Sequence, residues 1–236
     1  MTALAHPTSV PSAPVPRVRV LGDVSIDGTR GQRPGLARRA REVITYLALN
    51  PGGSEVAFTE AIFPGQAGGL KVRKNRNEYM RVARKWVGWA DDGHPFVCMV
   101  PEGGYALSGV GVDWIDFQQL TGDDITAACT ADLRAALSLV RGRPLSGLEE
   151  QRWDWAMPIK TAMVDAVVKV SREVTSRGLR DGDLSAAAAA AEIGVMVAPW
   201  DEGLWDAAET VAHATGGRGA SEELRRRAAR AMEGFD

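Results

Sequence analysis

The sequence predicts a mixed fold, with an α+β front half followed by an all-α rear half. Three observations carry that prediction. Apolar/polar alternation of strand type stops near residue 112, and the apolar runs beyond it recur at helical spacing. Charge divides at the same place. Residues 1–110 hold 14 Lys/Arg against 9 Asp/Glu, and residues 111–236 hold 14 against 21, so a net charge of −2 conceals a basic front and an acidic rear.

The chain begins with MTALAHPTSVPSAPVP, which reads as a flexible leader over residues 1–16. It has neither the basic start nor the apolar run of a signal peptide. RVRVLGDVSIDG alternates Val18, Val20, Val24 and Ile26 with polar neighbours, a short antiparallel hairpin or meander interrupted by Gly22-Asp23 and closed by Asp27-Gly28. In LARRAREVITYLALNPGG, Leu36, Ala40, Val43, Ile44 and Leu47 keep helical spacing until Asn50-Pro51-Gly52-Gly53. FTEAIFPG gives a second, short helix stopped by Pro64-Gly65. GQAGGLK lacks the Gly-Lys-Ser/Thr ending of a phosphate-binding loop and reads as a flexible connection.

Next comes KVRKNRNEYMRVARKWVGWA, Lys71 to Ala90, with seven Lys/Arg in its first fifteen residues and Glu78 as its only acid. At 100° per residue, Val72, Tyr79, Ala83, Trp86 and Ala90 fall within about 60° of one another, a core-facing stripe. Arg73, Lys74, Asn77, Arg81, Arg84 and Lys85 lie roughly opposite, and Arg76 belongs to the same cationic run. A solvated surface helix could show this composition. PFVCMVPEGGYAL follows as a Gly-tipped hairpin, and helix plus hairpin is the winged-helix arrangement. There the helix reads base edges and the hairpin touches backbone or minor groove. Arg is suited to guanine and Asn to adenine, so Arg73, Asn77 and Arg81 are chemically fit readers. Arg38, Arg39 and Arg41, opening the preceding long helix, could add phosphate contacts. If about six cations neutralise phosphates, log affinity falls with log salt at a slope near −5.

From Asp113 onward, WIDFQQL, ITAACTADLRAALSLVRG, EEQRWDWAMPIKTAMVDAVVKVSREVTSRGL, LSAAAAAAEIGVMVA, EGLWDAAETVAHATGG and SEELRRRAARAMEGF read as helices. Short connections imply antiparallel neighbours, and the Ala186–Ala191 run suits close packing. A tetratricopeptide-like period is faintly visible in residues 182–217. Trp153, Trp155, Trp200 and Trp205 read as interhelix packing, with a peptide groove as the alternative. The basic tail LRRRAARAMEGF reads as a capping helix with a solvated face.

Taken together, RVRVLGDVSIDG, RAREVITYLALNPGG, NRNEYMRVARKWVG and FVCMVPEGGYALSGVGVDWIDFQQL resemble the OmpR-type winged helix of actinobacterial SARP-like regulators. ADLRAALSLVRGRPLSG and GLWDAAETVAHATGG resemble the bacterial transcriptional activator domain that follows it, so the resemblance spans roughly residues 17–230. It implies a winged helix-turn-helix over 17–110 and a tetratricopeptide-like helical domain over 111–236. It implies that Lys71 to Trp89 is the recognition helix, with Arg73, Lys74, Arg76, Asn77, Arg81, Arg84 and Lys85 toward double-stranded DNA. Gly103, Gly104 and Tyr105 would form the wing, beside Arg38, Arg39 and Arg41 on phosphates. The rear domain would serve homodimerisation or contact with RNA polymerase or another protein, in a transcriptional activator. Where the family commonly carries a Ser-Arg-Leu-Arg-like run, this chain has Arg81-Val82-Ala83-Arg84, without a cation at Val82.

Other chemistry is not indicated. Cys98 and Cys129 form no disulfide framework or metal spacing, which suits a reducing, cytoplasmic setting. Cys98 reads as core. His6, His94 and His213 are isolated from one another, so neither a metal nor a cofactor nor an enzyme is expected. No stretch has the roughly 18–20 apolar residues of a membrane span. The alternative function is a protein-interaction module, such as the cytoplasmic end of a larger membrane-associated protein, that has lost direct DNA readout.

Overall fold

The computed structural model describes residues 14–66, 69–100, 104–147 and 153–233. The expected leader falls, for residues 1–13, outside the described residues.

The front half begins with β1 (Arg17–Arg19) and β2 (Ser25–Asp27), paired antiparallel with Val18 opposite Ile26. The antiparallel pairing agrees with the expected hairpin, and Val18, Val20 and Val24 turn into the core, together with Leu21. Three helices follow: α1 (Ala37–Leu49), α2 (Glu55–Ile62) and α3 (Leu70–Val87). α2 starts where Ser54 accepts a hydrogen bond from the Ala57 N–H at 3.1 Å, with Glu55 in its first turn. Strands β3 (Val97–Met99) and β4 (Tyr105–Leu107) pair antiparallel, with Cys98 opposite Ala106.

β5 (Gly111–Val112) is too short to stand out in the sequence. It lies parallel to β1, giving a three-stranded sheet of order β2-β1-β5, and leads directly into α4 (Asp113–Thr121). The rear half continues with α5 (Thr130–Ser138), a 3-10 turn (Asp154–Ala156), α6 (Met157–Asp181), α7 (Leu184–Val197) and α8 (Glu202–Glu233). Residues 125–128, expected to be helical, form turns instead, and α5 begins only after Cys129. The buried Arg177 of α6 holds that turn in place. Its guanidinium donates to the carbonyls of Ile125, Thr126 and Ala128 at 2.8–3.2 Å. α8 is broken at Gly217 (φ 66, ψ −155), the position of the expected Gly-Gly turn, and its second part packs back by way of Leu224.

α6, α7 and α8 form successive helical hairpins, and small residues set their spacing. A Cβ on Gly194 would stand 2.8 Å from Leu204 and 3.1 Å from the Cβ of Ser171. Trp153 and Trp205 are buried, as the packing reading requires. Trp200 is not, at 43% exposed, with the Arg143 guanidinium 4.9 Å over its ring. The tail arginines are spent on acids: Arg225 on Glu209, Arg226 on Glu223 and Arg227 on Glu192.

The two halves share main chain and core. Residues 141–146 run beside 20–24, with the N–H groups of Arg141 and Leu145 donating to the carbonyls of Leu21 (2.7 Å) and Val20 (2.8 Å). Asp113, 2% exposed, accepts from the N–H groups of Val20 (2.8 Å) and Leu21 (3.1 Å). One apolar cluster extends from Val18 and Ile44 through Phe117 to Leu133 and Met163. Trp155 sits between Tyr46 of α1 and Trp153, at ring distances of 5.0 and 5.4 Å. Among the described residues, no helix is long and apolar enough to cross a membrane.

Candidate nucleic-acid interface

α3 is bounded by a glycine at each end. Gly69 stands in extended conformation at its start, and Gly88 (φ 91) ends it, short of the expected Trp89 or Ala90. Residues 30–31 then cap the C-terminus: the N–H groups of Arg30 and Gly31 donate to the carbonyls of Val87 and Trp86, both at 3.0 Å. Only glycine fits at position 31, because a Cβ there would lie 1.7 Å from the Lys85 carbonyl oxygen.

The buried face is wider than the expected stripe. Val72, Ala83 and Trp86 are buried as predicted, and Arg76, Met80, Val82 and Val87 join them. Tyr79 is half-buried, stacked on Phe63 at 5.6 Å, and Ala90 lies beyond the helix. Val82 is 7% exposed, so a cation at that position would point into the core. Its absence takes nothing from the outward face.

The cations divide into three groups. Arg73, Lys74, Asn77, Arg81 and Lys85 are exposed on the side away from the core. Arg73, Lys74 and Lys85 have no carboxylate at ion-pair distance among the described residues. Arg81 is held by Glu78 in a bidentate pair, Nε to Oε2 at 2.8 Å and Nη2 to Oε1 at 2.6 Å. That hydrogen bonding keeps the Glu78 carboxyl below its usual range. Arg84 is half-buried and donates from Nε to the Val97 carbonyl at 2.9 Å, tying α3 to β3. Arg76 turns inward, 8% exposed, and pairs with Glu55 of α2. Its grouping with the outward cations is therefore corrected: the pair locks α2 against α3.

The accessory candidates also separate. Arg38 is exposed on the first turn of α1. Arg39 is half-buried, bonded to Glu42 at 2.9 Å and lying over the Tyr79 ring at 5.7 Å. Arg41 is half-buried, with its Nε shielded and unbonded. In the hairpin, Gly103 lies outside the described residues. Gly104 is buried; its φ of 124 and the Gly53 carbonyl 3.0 Å from a hypothetical Cβ both demand glycine. Tyr105 packs toward Phe58 at 6.5 Å. Gly104 and Tyr105 thus anchor the hairpin to α2, while Met99 is 69% exposed. Cys98, expected in the core, is half-buried with its thiol 3.5 Å from the Ala106 carbonyl.

Sequence reasoning missed Glu55, Glu78 and the Val97 carbonyl as partners of the helix cations. Only Glu78 had a local signal, since i,i+3 spacing to Arg81 is a standard helical pair. Among the described residues, no cluster of His, Cys, Asp and Glu could hold a metal ion.

A solved structure of Mycobacterium tuberculosis EmbR in complex with low affinity phosphopeptide has a similar fold, with a TM-score of 0.59 and 22% sequence identity. The match covers 90% of this chain and 58% of EmbR, so the chain spans less than two thirds of that protein. No family model and no curated protein matches the chain.

Proposed function

We propose that the chain is a transcriptional regulator of the SARP-like type. Its OmpR-type winged helix, over residues 17–110, binds double-stranded DNA by laying α3 in the major groove. The helical domain over 111–236 dimerises or contacts RNA polymerase. The reading includes a cytoplasmic setting and no catalytic activity.

One observation carries it: the outward face of α3 presents Arg73, Lys74, Asn77, Arg81 and Lys85 around a single acid, Glu78. A further feature supports it. The first turn of α3 contains no acid, and Lys71, Arg73 and Lys74 crowd the helix end where the macrodipole disfavours cations. Folding gains nothing from that placement, whereas a phosphate backbone would offset it. The fold likeness to EmbR is in keeping with this reading.

Fluorescence anisotropy with a labelled random-sequence duplex at low salt tests it. The full chain binds, and Arg73→Ala with Arg81→Ala weakens binding at least tenfold. An unbound wild-type protein removes the DNA reading and favours the interaction module. That alternative draws on the ties of Arg76, Arg81 and Arg84 to protein groups. Light scattering tests the dimer, which a monomer at micromolar concentration would contradict.

A further inference from the structure

Glu78 is out of place for a helix that only needs to attract phosphate. It is the single acid in α3 and lies on the outward side among Lys74, Arg81 and Lys85. Its carboxylate repels a phosphate backbone and cancels one of the available cations.

The geometry of the Arg81 pair suggests what offsets that loss. On the helical wheel Arg81 lies about 180° from Val72, which is 5% exposed, so Arg81 occupies the crest of the outward face. A guanidinium has two edges able to make paired hydrogen bonds. Glu78 takes the side edge through Nε and Nη2, at 2.8 and 2.6 Å. The end edge, formed by Nη1 and the remaining Nη2 hydrogen, has no partner among the described residues. That end edge matches the O6/N7 pair of guanine, and the bidentate carboxylate restricts the rotamers the side chain could otherwise sample. A lone arginine at the crest would bind any phosphate within reach; a clamped one is aimed.

We propose that Glu78 is a specificity-determining positioning residue. It holds Arg81 end-on for one guanine and weakens the binding of duplex that offers phosphates alone. The inference rests on the DNA-binding reading above. Specificity is a difference between two affinities, and a repulsive group at the interface enlarges that difference when only the correct base compensates for it.

The test uses the full chain and Glu78→Gln, which removes the charge at a partly exposed position by replacing the carboxylate with an amide of the same shape. Glu78→Asp retains the charge but is too short for the bidentate clamp. Affinity for random duplex is measured across a salt series, and binding sites are selected from a randomised duplex library. Freeing Arg81 for one further phosphate steepens the salt slope by about 0.9, which is about eightfold tighter random binding at 0.1 M salt. The wild-type selection recovers a fixed G·C pair at one position; Glu78→Gln loses that preference while binding random duplex more tightly. Glu78→Asp keeps the weak random binding and blurs the G·C preference. Wild-type behaviour of Glu78→Gln in either readout overturns the inference while leaving DNA binding intact. A pair that merely stabilises the helix would shift the melting temperature and lower both affinities together, which also overturns it. Failure of the wild type to bind duplex overturns this inference and the DNA reading alike.

Discussion

The Arg76–Glu55 pair makes a prediction in which the two partners are unequal. Arg76 is 8% exposed, whereas the Glu55 side chain is 53% exposed. Arg76→Met removes the inner charge, keeps an unbranched apolar stem, and leaves behind a carboxylate that water already solvates. Its cost is that of a partly exposed pair, about 1 kcal/mol. Glu55→Gln does the reverse and strands a buried guanidinium. A fully buried stranded charge costs about 3–5 kcal/mol, and some water access reduces this to about 2 kcal/mol. Loss of a favourable acid in the first turn of α2 adds about 0.5 kcal/mol. At roughly 2–4 °C per kcal/mol for a chain of this size, Glu55→Gln lowers the melting temperature by about 5–10 °C and Arg76→Met by about 2–4 °C. Calorimetry measures both, and anisotropy on random duplex shows whether Arg76 also serves binding. The reasoning is refuted if Arg76→Met melts like wild type yet loses duplex affinity as Arg73→Ala does, because Arg76 would then face outward.

Two further predictions concern the junction of the halves. Burial pushes the Asp113 carboxyl above the ordinary aspartate value of 3.8, although the Val20 and Leu21 N–H groups and Arg141 favour its ionised form. A folded-state value above the unfolded one means that the native chain binds the proton more tightly. Its stabilising contribution is complete below about pH 3.8 and is lost as pH rises through the folded value. The stability of wild type relative to Asp113→Asn therefore falls from pH 4 toward pH 7 in paired urea titrations; a difference that grows with pH would contradict the burial argument. Separately, a chain cut after Val112 loses Asp113 and the 141–146 segment that bonds residues 20–22. It also loses the shielding of Val18, Val20 and Leu21, so circular dichroism should show a broad, low-temperature transition in place of a cooperative one.

The amphipathic outline of α3 was legible because helical periodicity is local: Val72, Ala83 and Trp86 needed only their spacing. Arg76 was misassigned because its partner lies 21 residues away in α2, and composition alone groups it with its cationic neighbours. Arg84 was grouped with the outward cations for the same reason, since the Val97 carbonyl that it bonds carries no sequence signature. β5 is two residues long, and only its register against β1 makes it a strand. The turns at 125–128 replace helix because Arg177, some fifty residues later, rewards exposed carbonyls there. In the hairpin, Gly104 and Tyr105 looked like a tip because Gly-rich turns usually are. Their packing against Gly53 and Phe58 depends on where α2 lies.

The proposed function requires the outward cations of α3 to neutralise duplex phosphates. The most direct measurement compares the salt dependence of random-duplex affinity for wild type and for Arg73→Ala/Lys74→Ala/Lys85→Ala. All three residues are exposed, and none has a carboxylate at ion-pair distance among the described residues. At about 0.9 per phosphate contact, the slope of log affinity against log salt should become shallower by about 3 in the variant, with no fall in the melting temperature. Equal slopes for the two proteins would mean that the basic face of α3 is no more than a solvated surface, and would rule out phosphate contact through it.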